Sequence, residues 1–419
     1  MTGNRNMNTA QKPRIMYIDM AYTLKMVRER ELEQEFSSRD CGGYFEYVWG
    51  VHPMADVPEK RIPDYKGFKV SETRFSENQT IIEGSSAYYP GLKGLFPLNF
   101  LLSQVRFTRY LIHLVKKEDI SIILCTEPYF SGLIGLFIRF FTKSKLVIWV
   151  VANNDDIYKA TGATAMPRLY KLRWIEKMVE RFVFRRADLV AGANQNNLEY
   201  ALNNGARLSR STVFPVGKLI HPQHMKDPAL REKESIFDVS KADYHFVYVG
   251  RMLDLKHPDD VIRAFAEISS RIPSCALIMA GDGPMKPELE QMTVDLRIQN
   301  KVHFLGNISQ LRIANLLAGC FTVLSPLTGR SLIESALAGL PIIAYDRDWQ
   351  VDFVEKNKAG VIVPFRDWKK MAETAVRFIQ HPDVAKRFAT ASRKAGLEAC
   401  DNEKLYNHEK KEFEKLLNR

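Results

Sequence analysis

Residues 325–346 read SPLTGRSLIESALAGLPIIAYD, and few local structures accommodate that order. The apolar run 321–324 is a buried strand that breaks at a Pro and Gly turn. A short helix follows over about 331–338; Gly339 stops it, and Pro341 opens the next strand. Gly329 lets the backbone approach a ligand where a side chain would block it. The first helical turn offers unpaired N–H groups and the positive end of the helix dipole. Strand, tight turn and helix start together form a phosphate seat at the carboxyl end of a parallel strand. Its candidate contacts are Thr328, Gly329, Arg330 and Ser331, with Glu334 one turn in, facing whatever the seat holds. The segment 331–334 also spells a capping box, with Ser331 as N-cap and Glu334 reaching back.

Strands and helices alternate on both sides of this stretch. In the first half, strands are expected over 12–19, 43–51, 120–125, 146–152 and 187–192. Helices are expected over 28–36, 96–117, 133–141, 167–186 and 196–203. The first alternates charges at helical spacing and reads as exposed; in the second, Leu98, Leu101, Leu102, Val105, Tyr110, Leu111, Leu114 and Val115 supply an apolar side, much of it to cover the sheet. Residues 53–89 carry only short β-like pieces. In the second half, strands are expected over 244–249, 276–280, 302–305, 321–324, 341–344 and 360–363, with helices between them. Such alternation specifies doubly wound parallel sheets. At 419 residues and 46% hydrophobic composition the chain can bury two cores. The boundary lies in the Pro-rich, aperiodic stretch 214–238. The expected domains are therefore 1–213 and 239–400, with a terminal helix in 401–419.

A second constellation opens the later domain. Gly250 and Arg251 end a strand, and Lys256 follows five residues on. A planar guanidinium fork and a flexible ammonium at that spacing reach one diphosphate. Gly281-Asp282-Gly283-Pro284 ends the next strand; it lacks the third Gly of a dinucleotide fingerprint and reads as a tight turn. Gly306 ends the strand after that. In the first domain the strand over 146–152 runs into Asn153-Asn154-Asp155-Asp156, an Asx-type turn or a set of polar groups facing a cleft.

The run from Gly329 through Glu334 to Gly339-Leu340-Pro341 resembles the donor-site signature of family 4 retaining glycosyltransferases with the GT-B fold. The resemblance implies two Rossmann-like domains facing a cleft, with the terminal helix crossing back to the first domain. It implies transfer of a hexosyl or N-acetylhexosaminyl group from a nucleotide diphosphate sugar to a glycan or lipid-linked acceptor in polysaccharide or glycoconjugate biosynthesis. No cofactor and no metal are expected. Gly250, Arg251, Lys256, Gly281, Gly306, Thr328, Gly329, Arg330, Ser331 and Glu334 would bind the donor. Asn153, Asp155, Arg251 and Lys256 would form the catalytic group, with Asn153 where relatives often carry His. The first Glu of the signature falls on Pro326, a departure from the pattern. Rival readings are a nucleotide-sugar epimerase on the same fold and a non-catalytic GT-B module that binds a nucleotide sugar or a partner enzyme.

Composition bounds the partners. The net charge is +11. Residues 91–186 hold 16 Lys and Arg against 7 Asp and Glu. Aromatic and aliphatic residues, among them Leu95, Phe96, Phe100, Phe107 and Tyr110, are interleaved with the charges. This mixture suits an anionic membrane surface from which a lipid-linked acceptor is reached; it also suits a core helix with a solvated basic edge. No nucleic-acid partner is expected. The apolar run 129–141 contains Arg139 and is shorter than the ~20 residues of a membrane span. Polar residues 1–12 lead straight into a strand, and the five scattered cysteines read as reduced thiols. A cytoplasmic protein, peripheral on the inner membrane face, is the expectation.

Overall fold

The computed structural model describes residues 12–63, 65–327 and 329–418. The first domain is an eight-stranded sheet: β1 Arg14–Ile18, β2 Tyr47–His52, β3 Ser71–Ser76, β4 Gln79–Glu83, β5 Ile122–Cys125, β6 Lys145–Val150, β7 Leu189–Gly192 and β8 Ser211–Val213. Its order is β3-β4-β2-β1-β5-β6-β7-β8, and every pair except the β3–β4 hairpin is parallel. The first strand is central, with Ile15 beside Val48 on one flank and Ile122 on the other. The strand order reverses between β1 and β5, so the crevice for a ligand opens at their carboxyl ends. Helices are α1 Leu24–Glu29, α2 Glu33–Ser37, α3 Phe96–Lys117, α4 Phe130–Phe141, α5 Asn154–Thr161, α6 Arg173–Arg186 and α7 Gln195–Asn203.

The second domain holds six parallel strands: β9 Tyr244–Val249, β10 Cys275–Ala280, β11 Val302–Gly306, β12 Thr322–Ser325, β13 Ile342–Tyr345 and β14 Gly360–Val363. Their order, β11-β10-β9-β12-β13-β14, reverses between β9 and β12. These strands are continuous apolar runs because helices cover both faces. The helices are α8 Ile236–Ser240, α9 Pro258–Arg271, α10 Lys286–Asp295, α11 Gln310–Ala318, α12 Ser331–Leu337, α13 Gln350–Asn357, α14 Trp368–Gln380, α15 Pro382–Ala399 and α16 Asn402–Leu417. The last of these, α16, returns to the first domain. Its Phe413 is fully buried against Phe45, Tyr44 and Phe214, and its Glu409 pairs with Lys218 of the linker at 2.5 Å. The linker passes so close to the end of α15 that a Cβ at Gly217 would stand 1.9 Å from the Ala399 carbonyl oxygen.

Two elements depart from the sequence reading. The helix expected over 28–36 is two short helices, broken where Glu31 takes a positive φ of 54°. It is not an exposed helix: Phe36 and Glu35 are buried. In α3 the assignment of faces is inverted over its first half. Leu98, Leu101, Leu102 and Val105, expected to cover the sheet, are exposed. The buried residues there are Asn99, Ser103, Gln104 and Thr108. They face an irregular segment whose backbone needs partners. Asn99 accepts from the Tyr89 N–H and donates to the Tyr89 carbonyl, Ser103 accepts from the Tyr88 N–H, and Gln104 donates to the Ser85 carbonyl. Phe107, Leu111 and Val115 of the second half of α3 are buried in the core, and from the first half Phe100 packs against it.

Burial lowers the pKa of five histidines, His52, His224, His245, His257 and His303, below the ordinary value. Each binds a proton less readily folded than unfolded. Their contribution to stability is complete above the unfolded value of about 6.5 and is lost as pH falls below it. The melting temperature is therefore expected to fall between about pH 7.5 and 5.5, before carboxylates titrate. An unchanged melting temperature across that interval contradicts the assignment.

Candidate functional site

The carboxyl ends of β1, β5 and β6 face those of β9, β12 and β13 across a cleft with two connected lobes of about 770 and 750 Å³. Val151, Asn194, Gly329 and Trp349 line both. In the first lobe Asp19, Tyr22, Glu35 and Thr126 of the first domain face Arg251, Gly329 and Arg330 of the second. In the second lobe Asn153, Asp156 and Lys159 face Lys256, Arg347, Asp348 and Arg366.

The strand end and helix start expected around Gly329 are present as β12 and α12, and Ser331 anchors them. The hydroxyl of Ser331 donates to the Val249 carbonyl at 2.8 Å, tying the start of α12 to the end of β9. Arg330 is the N-cap, and among the described residues no side chain caps the helix, so the capping-box reading of Ser331 and Glu334 is overturned. Open space surrounds the position of a Cβ at Gly329. Thr328 lies outside the described residues. Glu334 is buried behind Arg330, with its carboxylate 3.7 Å from the Arg330 Nε. At Pro326 no side-chain acceptor exists, and its carbonyl takes a 2.8 Å bond from the buried Gln350 amide.

Arg330 also reaches across the cleft to the Glu35 carboxylate. Burial opposes its charge, but Glu35 and Glu334 outweigh burial and raise its pKa. A second bridge, Asn196 Nδ2 to Asp348 Oδ1 at 2.8 Å, joins the domains at the other lobe. Arg251 is exposed on the first lobe, and its guanidinium has no carboxylate partner among the described residues. Lys256 stands in the second lobe, where burial lowers its pKa against the opposing pull of Asp348. The two cations thus serve adjoining lobes rather than one point.

Of the expected glycines, Gly281 is required by packing. A Cβ at Gly281, whose φ is +133°, would stand 2.0 Å from the Gly250 carbonyl oxygen. The Gly281 N–H donates to the Gly306 carbonyl at 2.8 Å. Gly281 therefore lets the ends of β9, β10 and β11 pack on one another, whereas at Gly306, whose φ is +64°, the space a Cβ would take is open.

The structure separates the two residues of the first-domain pair. Asn153 is the N-cap of α5 and accepts from the Asp155 and Asp156 N–H groups at 3.2 Å, the Asx arrangement that its neighbours favour. It lines the second lobe with its remaining amide directed to Asp156 and Asn196. The carboxylate of Asp155 is taken up by Arg173 at 2.8 Å, Lys177 at 2.9 Å and Asn204 at 2.8 Å. Burial alone would raise its pKa, but these bonds bring it down to about 2. Asp155 is therefore a structural anchor between α5 and α6. The α5 carboxylate on the cleft is that of Asp156.

Several lining residues escaped the sequence reading: Tyr22, Glu35, Arg347 and Asp348. A usable signal existed for Arg347 and Asp348, since they follow the Gly-x-Pro strand and loops at the carboxyl ends of strands face the crevice. Asp259, Asp260 and His257 have ligand atoms within 4.8 Å of one another. The guanidinium of Arg366 lies 3.2 Å from both carboxylates and takes the place a cation would.

Comparison with known proteins places this geometry. Residues 231–395 match the family model of glycosyl transferases group 1. An uncharacterized glycosyltransferase of Methanocaldococcus jannaschii is 23% identical over 304 residues, which is 63% of this chain and 70% of the relative. The alpha-D-kanosaminyltransferase of Streptomyces kanamyceticus is 27% identical over 147 residues, 34% of this chain and 38% of that protein. The sucrose-phosphate synthase of Thermosynechococcus elongatus superposes with a TM-score of 0.72 at 16% identity, over 97% of this chain and 99% of that one. The Anabaena protein HepE, in complex with UDP-glucose, superposes with a TM-score of 0.64 at 16% identity, over 94% and 97%. The chain has the GT-B fold, and its second domain carries the match to glycosyl transferases group 1.

Proposed function

We propose that this protein is a retaining glycosyltransferase that moves a hexosyl or N-acetylhexosaminyl group from a nucleotide diphosphate sugar to a glycan or lipid-linked acceptor, at the cytoplasmic face of a membrane. One observation carries the reading. Arg251, Gly329 and Arg330 converge from the ends of β9 and β12 on a single lobe of the cleft. When the sugar leaves, charge grows on the diphosphate, and preorganised cations there stabilise the transition state more than the ground state. Arg251 offers an unpaired fork and Lys256 a partly desolvated ammonium in the adjoining lobe. The cross-cleft bonds of Glu35 to Arg330 and Asn196 to Asp348 hold the domains together. Closure of this kind keeps water from the reacting carbon and disfavours hydrolysis.

A second reading, nucleotide-sugar binding without transfer, has a specific observation behind it. Pro326 replaces the first motif Glu, Asn153 is engaged as a cap, and Asp155 is held by Arg173 and Lys177. One experiment separates the readings. Nucleotide sugars, UDP-glucose first because the Anabaena neighbour was solved with it, are screened by thermal shift. Saturation at 100 times Kd adds about 2.7 kcal/mol. The stabilising donor is then incubated with acceptor pools and the sugar followed. Transfer supports the enzyme; binding without transfer or donor hydrolysis supports the second reading; no binding by any nucleotide sugar overturns both.

A further inference from the structure

The exposed apolar residues of this chain are concentrated on one layer of the first domain. In α3 the inverted first half presents Leu98, Leu101 and Leu102 outward. In α4 Phe140 is 81% exposed, with Phe137 and Phe141 beside it. In α6 Trp174, Met178 and Phe182, spaced four apart on one helical face, are 61%, 62% and 45% exposed. The three helices are contiguous: α4 packs against both α3 and α6, and Phe100 of α3 meets Phe130 of α4 with ring centroids 5.9 Å apart. Scattered surface hydrophobics are ordinary, but a contiguous apolar patch marks an interaction surface. The inversion of α3 makes the point sharper. Its polar residues satisfy the interior, so its outward leucines serve nothing inside the domain.

Basic residues border this patch. Arg106 and Arg109 flank it on α3, Lys143 follows α4, and Lys171, Arg181 and Arg185 flank it on α6. All are exposed, and none pairs with a carboxylate among the described residues. No described helix is long and apolar enough to cross a membrane. A second copy of the chain is a poor occupant. A two-fold interface sets the same patch against itself and would bring these cations together. A bilayer with anionic headgroups matches both features, since apolar side chains enter the acyl boundary while the cations meet the headgroups.

We propose that the α3–α4–α6 layer docks the protein on an anionic lipid bilayer, with Leu101, Phe140, Trp174 and Met178 as inserting residues. The inner side of α6 gives this docking a consequence. Arg173 and Lys177 hold Asp155 of α5, and α5 lines the cleft through Asn153 and Asp156. The docked layer and the first-domain wall of the cleft are therefore one body, and docking sets how the cleft faces the bilayer.

The test uses the full chain with vesicles of phosphatidylcholine alone or with roughly one-third phosphatidylglycerol. Its assay contains neither donor nor acceptor, so its outcome is independent of glycosyl transfer. Recovery with anionic vesicles is expected to exceed recovery with neutral ones by at least about tenfold and to fall as salt rises. Trp174 is far more exposed than Trp49 or Trp149, which are buried. The tryptophan emission should shift to the blue on binding, and the shift should shrink in Trp174→Phe while binding persists. Phe140→Ser with Met178→Ser, and separately Arg106→Glu with Arg181→Glu, should release the protein with an unchanged melting temperature. Equal recovery with neutral and anionic vesicles, absence of binding at low salt, or a stable dimer in which Trp174 is already shielded overturns the proposal.

Discussion

Replacing Arg251 by alanine is expected to lower turnover by about 10²- to 10³-fold while leaving the melting temperature unchanged. The size follows from the loss of one preorganised group at a site of developing charge, which is worth about 2.7–4 kcal/mol of barrier. The unchanged stability follows from the surroundings of Arg251, which is exposed and without an ion-pair partner among the described residues. Its backbone carbonyl is engaged by the Tyr248 hydroxyl and the Leu253 N–H at 3.0 Å, and alanine keeps that carbonyl. Arg251→Lys should fall between, because it restores the charge and not the planar fork. The measurement is calorimetric binding of the nucleoside diphosphate beside single-turnover kinetics. Equal binding and turnover by the alanine variant would remove Arg251 from the site.

The largest loss of stability is expected from Arg173→Ala, at about 3–5 kcal/mol, the cost of leaving buried charges without their partner. Arg173 is 7% exposed at its side chain and serves three carboxylates. Its Nη1 bonds Glu176 at 2.7 Å and Tyr129 Oη at 3.1 Å; its Nη2 bonds Asp155 at 2.8 Å and Glu180 at 3.1 Å. Glu176 and Glu180 are fully buried. The hydroxyls of Tyr129 and Tyr200 donate to Glu180 at 2.6 and 2.5 Å, so hydrogen bonds soften the loss without supplying positive charge. For a domain of this size the melting temperature should drop by about 2–4 °C per kcal/mol, roughly 10 °C in all. Thermal unfolding of the variant checks it, and a drop of less than about 2 °C would show that the cluster contributes little. Arg173→Ala should also loosen α5, because Asp155 then keeps only Lys177 and Asn204.

The strands of the second domain were legible because parallel strands covered on both faces are unbroken apolar runs, and 244–249 and 360–363 coincide with the observed β9 and β14. The end of β12 and the start of α12 on either side of Gly329 were legible for the same local reason: they are close in sequence, so their geometry follows from the residues themselves. Arg251, at the end of β9, lines the same lobe as Gly329, as a strand-end position predicts.

Periodicity alone misassigned the first half of α3. The 3.6-residue pattern reports which residues share a face and not which face is inward. The segment around Ser85–Tyr89 decided that, because its unpaired backbone groups required Asn99, Ser103 and Gln104. The roles of Asp155 and Asp156 divided in the same way. Adjacent carboxylates on a helix point about 100° apart, and only the position of α6 determined that Arg173 and Lys177 claim the first and leave the second to the cleft. Glu35 was an ordinary charge in an alternating helix until α12 came across to it, 295 residues away in sequence. What the sequence by itself determined is therefore whatever neighbouring residues settle among themselves: strand cores, turns and helix starts. What only the tertiary structure decided is the pairing of buried charges and the facing of surfaces, because these depend on which distant group arrives to satisfy a polar atom or leaves an apolar one uncovered.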